Sequence, residues 1–577
     1  MTQKRYIRTI LPLRLEWEPC YCLPDPSLYG EQALPQAGDR ILVPFNGKNV
    51  VAVVSEPEAT PDIDGSRIKE LPEYRPVLKP VSAEEVKLWR FIASYYCCTV
   101  GEVYKAAYPS QKLESEKIHE RSEKKAEALR ERSIEIWKTR EARLQARLEA
   151  KEEALNRSRK ESVAQRLREQ RDKIAAELQA VQDQLEKFSE GLFGAGEEFG
   201  AGLPQIPAET PLLALLRAGR TVLYKASSRI DAYCDAISDC LGRGHSVLLL
   251  VPEVALATSL KEELEKRFGH LLAVHHSQCT AAQRRKIADA LREGRPRLVL
   301  GTRSSIFLPF KDLGLVIVDS EQSPFYKQSD TAPRYNGRDC ATKLASIHGC
   351  PVLLGASSPS LEVLYNCLGG KFALVEGASV AKGRYELIDM AAERRKNGVR
   401  GPFSIKLLEE ARDKKHIALI RGYEKADELA EQMKGLFPED TDVLTIPKAQ
   451  KTWLGGYDLV AMLSADALFG GEDFRADEHA FQFLDALRCE CTDVVIQTRN
   501  AAHRVFSMQD CKALLDERKR FNLPPYTRLV AISTPAGTST LTLERGLGLK
   551  ERREKINAAV NQLTGGKGRA IIDVDPI

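Results

Sequence analysis

The chain has 577 residues, a formal net charge of +4 and 13 cysteines. That length accommodates several domains with sizeable cores, and so small a net charge excludes a uniformly basic surface, leaving any anionic partner to a local patch. The cysteines approach one another only as Cys20/Cys22, Cys97/Cys98 and Cys489/Cys491, with no Cys-x-x-Cys pair, so neither a structural zinc site nor a disulfide framework is expected.

In chain order, Lys4, Arg5, Arg8, Arg14 and Glu16 interrupt the first apolar residues. That pattern fits neither a signal peptide nor a membrane span, and a reduced, cytoplasmic, soluble protein is expected. Residues 1–110 alternate short apolar runs with Pro and Gly, as in RILVPF at Arg40–Phe45 and VVAVV at Val50–Val54. They read as a small β-rich domain, closed by a helix over Glu84–Tyr96. Residues 111–192 contain neither Gly nor Pro until Gly191 and are dominated by Glu, Lys, Arg, Ala and Leu, the composition of long helix. As one rod this stretch would span about 120 Å. Ile174, Leu178, Val181, Leu185 and Phe188 form a heptad seam, compatible with a helical hairpin or with a coiled-coil arm that dimerises.

From 203 to 375, strands alternate with helices: Thr221–Tyr224, Ser246–Val251, Leu271–His275, Arg297–Leu300, Leu313–Asp319 and Cys350–Leu354. The last two runs are nearly all apolar, as strands buried on both faces of a parallel sheet should be. A second, reduced α/β portion spans 376–508. Residues 509–577 hold a basic helix end, a Pro-Pro break and two strands.

Several strings then match one family in order and spacing. VPEVAL at Val251–Leu256, GTRSSIFLPFKDLGLVIVDSEQ at Gly301–Gln322, YKQSDTAPRYNGRD at Tyr326–Asp339 and GASSPSLE at Gly355–Glu362 resemble the PriA family of replication-restart helicases. LSADALFGGEDFRADEHAFQ at Leu463–Gln482 and ERKRFNLPPYTRL at Glu517–Leu529 extend the resemblance, as do the amino-terminal ILVPF and the terminal DVDP. The resemblance implies two RecA-like helicase lobes of superfamily 2, an amino-terminal 3′-end DNA-binding domain and replication-restart or primosome proteins as partners.

The departures from the family pattern concern nucleotide. A phosphate-binding turn needs glycines, a lysine and a hydroxyl residue. Here the strand runs into Lys225-Ala226-Ser227-Ser228-Arg229-Ile230. The resemblance places Arg229 at the lysine and Ile230 at the Mg²⁺-binding hydroxyl. Asp-Glu-x-His becomes Asp319-Ser320-Glu321-Gln322, and a serine hydroxyl cannot replace a carboxylate as general base without an activator. The Gly-Arg-Ala-Gly-Arg run that supplies arginine fingers becomes Leu484–Cys491, with Arg488 as its relic. The family's zinc insertion and winged helix have no counterpart. The expectation is therefore a degenerate member that binds DNA and recruits partners without ATP-driven unwinding, needing no cofactor, with Arg229, Asp319, Glu321 and Arg488 as relics. Two alternatives stand beside it: an active helicase using ATP and Mg²⁺ at a rearranged Asp319/Lys225 site, and a coiled-coil scaffold without DNA binding.

For DNA (forked, 3′-ended or single-stranded), the resemblance and the alternation of aromatic and cationic residues point to the loop Tyr326, Lys327, Arg334, Tyr335 and Arg338, with Arg303 beside it. Tyr21 and Lys69 align with the family's 3′-end pocket.

Overall fold

The computed structural model describes residues 4–24, 35–109, 204–378, 383–471, 473–565 and 570–576, with the single positions 145, 171 and 568. The chain divides into one unit of Met1–Pro109 with Leu203–Ile577 and a second of Ser110–Gly202. The arm expected at 111–192 thus lies outside the described residues, apart from two isolated helical positions.

The amino-terminal part is a five-stranded antiparallel sheet in the order Cys20–Cys22, Tyr6–Ile10, Lys48–Glu56, Arg40–Phe45, Pro76–Leu78. Its β-branched and aromatic residues alternate inward, with Ile7, Ile41, Val43 and Val54 fully buried. Two helices follow, Ala83–Tyr95 and Val100–Ala107. Each begins with a reciprocal capping box, Ser82 with Glu85 and Thr99 with Glu102.

The first α/β lobe carries a seven-stranded, all-parallel sheet. Its order is Ala373–Glu376, Thr221–Lys225, Val352–Ala356, Leu313–Asp319, Ser246–Leu250, Leu298–Gly301, Leu272–His275. Six of these strands match sequence expectations to within two residues. The seventh, Ala373–Glu376, escaped notice because its exposure alternates at the sheet edge rather than forming an apolar run. The second lobe is a five-stranded parallel sheet in the order Arg384–Asp389, Asp493–Thr498, Leu459–Met462, Ile417–Arg421, Asp442–Thr445. The carboxyl-terminal part pairs Gly537–Glu544, Thr527–Thr534 and Ile571–Val574 in an antiparallel sheet beneath the helix Leu549–Thr564.

One continuous core ties the amino-terminal part, the first lobe and the carboxyl-terminal part together. It runs from Trp89 and Ile92 through Ala341 and Leu344 of the first lobe to Val530 and Ile556 near the carboxyl end. Tyr95 donates to Asp575 at 2.9 Å, and Arg528 bonds both. The crevices at the carboxyl ends of the two parallel sheets are where an open α/β fold places ligands.

Candidate functional site

The turn after Thr221–Lys225 has no free cradle. The Ala226 N–H donates to the Ala356 carbonyl at 3.0 Å, and both the N–H and the hydroxyl of Ser227 donate to the Ala378 carbonyl at 3.3 and 3.2 Å. These are donors that a phosphate-binding turn would offer its ligand. Arg229 folds back into the space they leave. Its Nε donates to Asp319 Oδ1 at 2.8 Å, and its Nη1 donates to the Ala226 carbonyl at 3.0 Å. Tyr233 donates to the same Asp319 oxygen at 2.7 Å. Burial opposes the charge of Arg229, but Asp319 and Tyr233 outweigh it and hold the guanidinium protonated.

Gly355, on the neighbouring strand, makes room for this lock. A Cβ there would stand 1.6 Å from Tyr233 Oη and 3.1 Å from Arg229 Cδ. The carboxylate that would reach a metal is therefore neutralised by side chains of its own fold.

Ser320 turns through φ +49°, so Asp319 and Glu321 point apart. Glu321 accepts from the Ser360 N–H at 2.7 Å, the Ser360 hydroxyl at 2.8 Å and Arg338 Nη1 at 2.9 Å. Burial pushes its carboxyl up, against the pull of Arg338 and Ser360. It joins no catalytic group.

Lys225 pairs with Glu376 at 3.8 Å rather than with Asp319. Arg488 is exposed, its guanidinium 4.6 Å above the Tyr385 ring. Instead of arginine fingers, the facing helix Ala476–Glu490 directs Asp485 at Ser357. Burial pushes that carboxyl up, with Ser357, Arg488, Lys225 and Arg229 pulling it down. These residues do not fit ATP and Mg²⁺.

The aromatic loop also departs from expectation. Tyr326 is fully buried and donates to the carbonyls of Asp319 at 2.6 Å and Leu250 at 3.0 Å. Lys327, 5% exposed, donates to the carbonyls of Arg334 and Val574 and pairs with Asp573 at 2.7 Å. Tyr335 is buried edge-on against Phe307. Arg338 is spent on Glu321 and Asp339. Arg334 closes the loop onto the Ser329 and Asp330 carbonyls, and Arg303 braces the Phe325 and Lys327 carbonyls. Burial makes Tyr326, Lys327 and Tyr335 a staple, with the half-buried Arg303, Arg334 and Arg338 bonded to the loop and its neighbours. Tyr21 is likewise core, 3% exposed with its hydroxyl on the Pro44 carbonyl. Lys69 is exposed.

Two exposed features replace them. The first is a cleft of about 230 Å³ between the loop of residues 10–18, the helix Ala83–Tyr95 and Arg553. Trp17 stands at its edge with 61% exposure. Glu18 lines it, accepting from Ser55 at 2.5 Å and pairing with Arg90 at 3.2 Å, and Arg553 pairs with Glu16 at 3.3 Å. Gly101 lets the loop lie on the helix Val100–Ala107, since a Cβ there would meet the Leu13 carbonyl oxygen at 2.1 Å. A flat indole beside a carboxylate with remaining acceptor capacity suits a stacked base and a hydroxyl donor. The signal was present in the sequence as Glu16-Trp17-Glu18 between Pro12 and Pro19. The second feature is the carboxyl edge of the second sheet. Exposed Tyr423, Lys448 and Arg499 follow the strands Ile417–Arg421, Asp442–Thr445 and Asp493–Thr498 there.

A PriA family model described as the 3′DNA-binding domain (3′BD) matches residues 13–109. Replication restart protein PriA of Rickettsia felis is 26% identical over 408 residues, 69% of this chain and 52% of that protein. PriA of Haemophilus influenzae is 28% identical over 413 residues, 64% and 52% of the two chains. PriA of Bacillus subtilis is 35% identical over 188 residues, 32% and 23% of the two chains. The chain thus spans about half the length of the first two relatives. Among solved structures, RecG bound to a three-way DNA junction shares 16% identity at a TM-score of 0.35, covering 53% of this chain and 44% of that one. No helix among the described residues is long and apolar enough to cross a membrane.

Proposed function

We propose, from its similarity to replication restart protein PriA, that the chain binds 3′-ended or branched DNA and gathers restart partners without hydrolysing ATP. The observation that carries the second half is the Arg229–Asp319–Tyr233 lock, with bonds of 2.8 and 2.7 Å where a motor would hold phosphate and metal. The DNA half is supported by the match of residues 13–109 to a 3′DNA-binding domain and by the exposed Trp17 above its cleft. In this reading Trp17 stacks the terminal base and Glu18 accepts from the terminal hydroxyl. Tyr423, Lys448 and Arg499 hold the strand beyond, by stacking and phosphate neutralisation. Lys69 adds a cation on the amino-terminal domain. The arm at 111–192 is the proposed docking element for partners or for a second copy, in the cytoplasm.

The test is direct competition between otherwise identical forked oligonucleotides ending in 3′-hydroxyl and in 3′-phosphate, followed by fluorescence anisotropy in the absence of nucleotide. Preference for the hydroxyl end, with affinity falling steeply with salt, is the expected result. Equal affinity for both ends contradicts end recognition, and no salt-dependent binding at all favours the scaffold reading.

A further inference from the structure

DNA motors do work by changing the angle between their two α/β lobes, and this chain carries the opposite arrangement at that boundary. Helix Leu361–Leu368 belongs to the first lobe by connectivity, directly after its strand Val352–Ala356. Its packing is divided: Val363 is buried in the first-lobe core with Leu364 and Cys367 against it, while its amino-terminal end enters the core of the second lobe. Leu361 is fully buried in the cluster that contains Val460, Leu484 and Leu514, with Leu364 and Tyr365 packed against the same cluster. Tyr365 meets Tyr526 edge-on at 5.1 Å.

The polar contacts lie on the same short stretch. Glu478, 4% exposed on the second lobe's helix Ala476–Glu490, accepts from the Leu361 N–H at 3.0 Å and from Arg518 at 3.0 Å. The amides of a helix's first turn lack partners within the helix, so a carboxylate placed there satisfies a donor and opposes the helix dipole. Here that carboxylate comes from the other lobe. Gln482, one turn on, donates to the Pro359 carbonyl at 3.2 Å, and Ser358 meets Cys511 at 3.9 Å. Second-lobe groups therefore grip Pro359 and Leu361, and Cys511 of the carboxyl-terminal part holds Ser358. Elsewhere on the boundary, Lys451 of the second lobe pairs with Glu253 at 3.4 Å and lies 4.5 Å above the Phe325 ring. The carboxyl-terminal part adds Arg545, which donates to Asn366 at 3.0 Å with its guanidinium over Tyr365.

Rocking the lobes apart would pull helix Leu361–Leu368 from an apolar core and strip its first-turn amide of its acceptor at the same time. We propose that Glu478 and the helix it closes latch the two lobes into one body, so that the cleft keeps a single geometry with or without DNA. The chain then presents its nucleic-acid surfaces at a fixed spacing, as a gauge rather than as a motor.

The test is single-molecule energy transfer on the full chain, labelled through non-canonical amino acids at exposed Lys266 and Lys434, one on each lobe. The inference expects one narrow transfer population, unchanged by forked DNA or by ATP with Mg²⁺. The double variant Glu478→Ala/Lys451→Ala should split or broaden it. Two wild-type populations, a shift on adding DNA, or a double variant indistinguishable from wild type would each overturn the latch. A DNA-induced shift without nucleotide binding would do so while leaving the proposed function intact. Should the double variant fail to fold, hydrogen exchange on the wild type decides the matter. Exchange of the Leu361–Val363 amides only through global unfolding supports the latch, and exchange through local opening refutes it.

Discussion

The nucleotide crevice of the first lobe and the amino-terminal cleft make an instructive pair, because each brings a carboxylate to a cavity wall and they differ in what has already claimed it. Asp319 is taken by a half-buried guanidinium and a buried phenol from its own lobe. Glu18 is held by Ser55 and Arg90 at the edge of a cleft whose aromatic neighbour stands in solvent. A satisfied, desolvated carboxylate is architecture. A carboxylate held in place beside an exposed indole is, in the proposed function, a recognition element. The same distinction separates the buried Tyr326, Lys327 and Tyr335 and the ion-paired Arg338 from the exposed Tyr423, Lys448 and Arg499.

The comparison can be broken most forcefully at its architectural end. Arg229→Ala leaves Asp319 buried without its cation, and losing one partner of such a pair costs about 3–5 kcal/mol. Chemical denaturation should report a loss of that order with no gain of ATP binding. A neutral outcome would mean that the lock is ornamental. Arg338→Ala, which strands Glu321 in the same way, should cost a similar amount, while the affinity of the still-folded fraction for forked DNA stays at the wild-type value. A selective loss of DNA affinity there would restore the loop as a DNA contact.

The recognition end should respond in affinity rather than in stability. Stacking of a base on an aromatic contributes about 1–3 kcal/mol, so Trp17→Ala should cut affinity for 3′-hydroxyl ends about tenfold and leave circular single strands unaffected. Anisotropy on the two substrates separates these outcomes. Arg499→Ala and Lys448→Ala should each weaken binding to both substrates and lower the salt slope by about one; an unchanged slope would remove that edge from the interface.

A smaller effect concerns pH. His275 is buried against Ser305 at 2.7 Å, and burial, with Arg284 and His276, lowers it to about 4. Its folded value lies below the unfolded one, so the unfolded chain binds the proton first. The stability it confers is fully present above about 6.5 and is lost as pH falls toward 4, amounting to roughly 3 kcal/mol. His275→Asn should flatten that limb of a stability–pH profile measured by urea titration.

The fold was legible where physical chemistry leaves a period in the sequence. The apolar runs of Val247–Val251 and Leu315–Val318 and the Gly/Pro punctuation of the first sheet specify elements locally. The loss of the phosphate turn was legible too, since glycine's absence after Tyr224 needs no tertiary knowledge. The site residues were not, for a reason specific to their chemistry. Tyr and Arg serve a DNA interface and a buried hydrogen-bonded staple with the same atoms, and only the carbonyls of Leu250 and Asp319 around Tyr326, or the Glu321 carboxylate beside Arg338, decide which. Those partners lie 76 and 7 residues from Tyr326 and 17 from Arg338 in the chain. Tyr233 carries no motif in the sequence, yet it supplies half the lock on Asp319.

Titration calorimetry of the full chain with ATP and Mg²⁺, with forked DNA present and absent, meets the central claim head-on. A crevice filled by Arg229 and faced by Asp485 should give no saturable heat at millimolar nucleotide. Stoichiometric binding that disappears in Asp319→Ala would show that the lock opens for a ligand and that this chain is a motor after all.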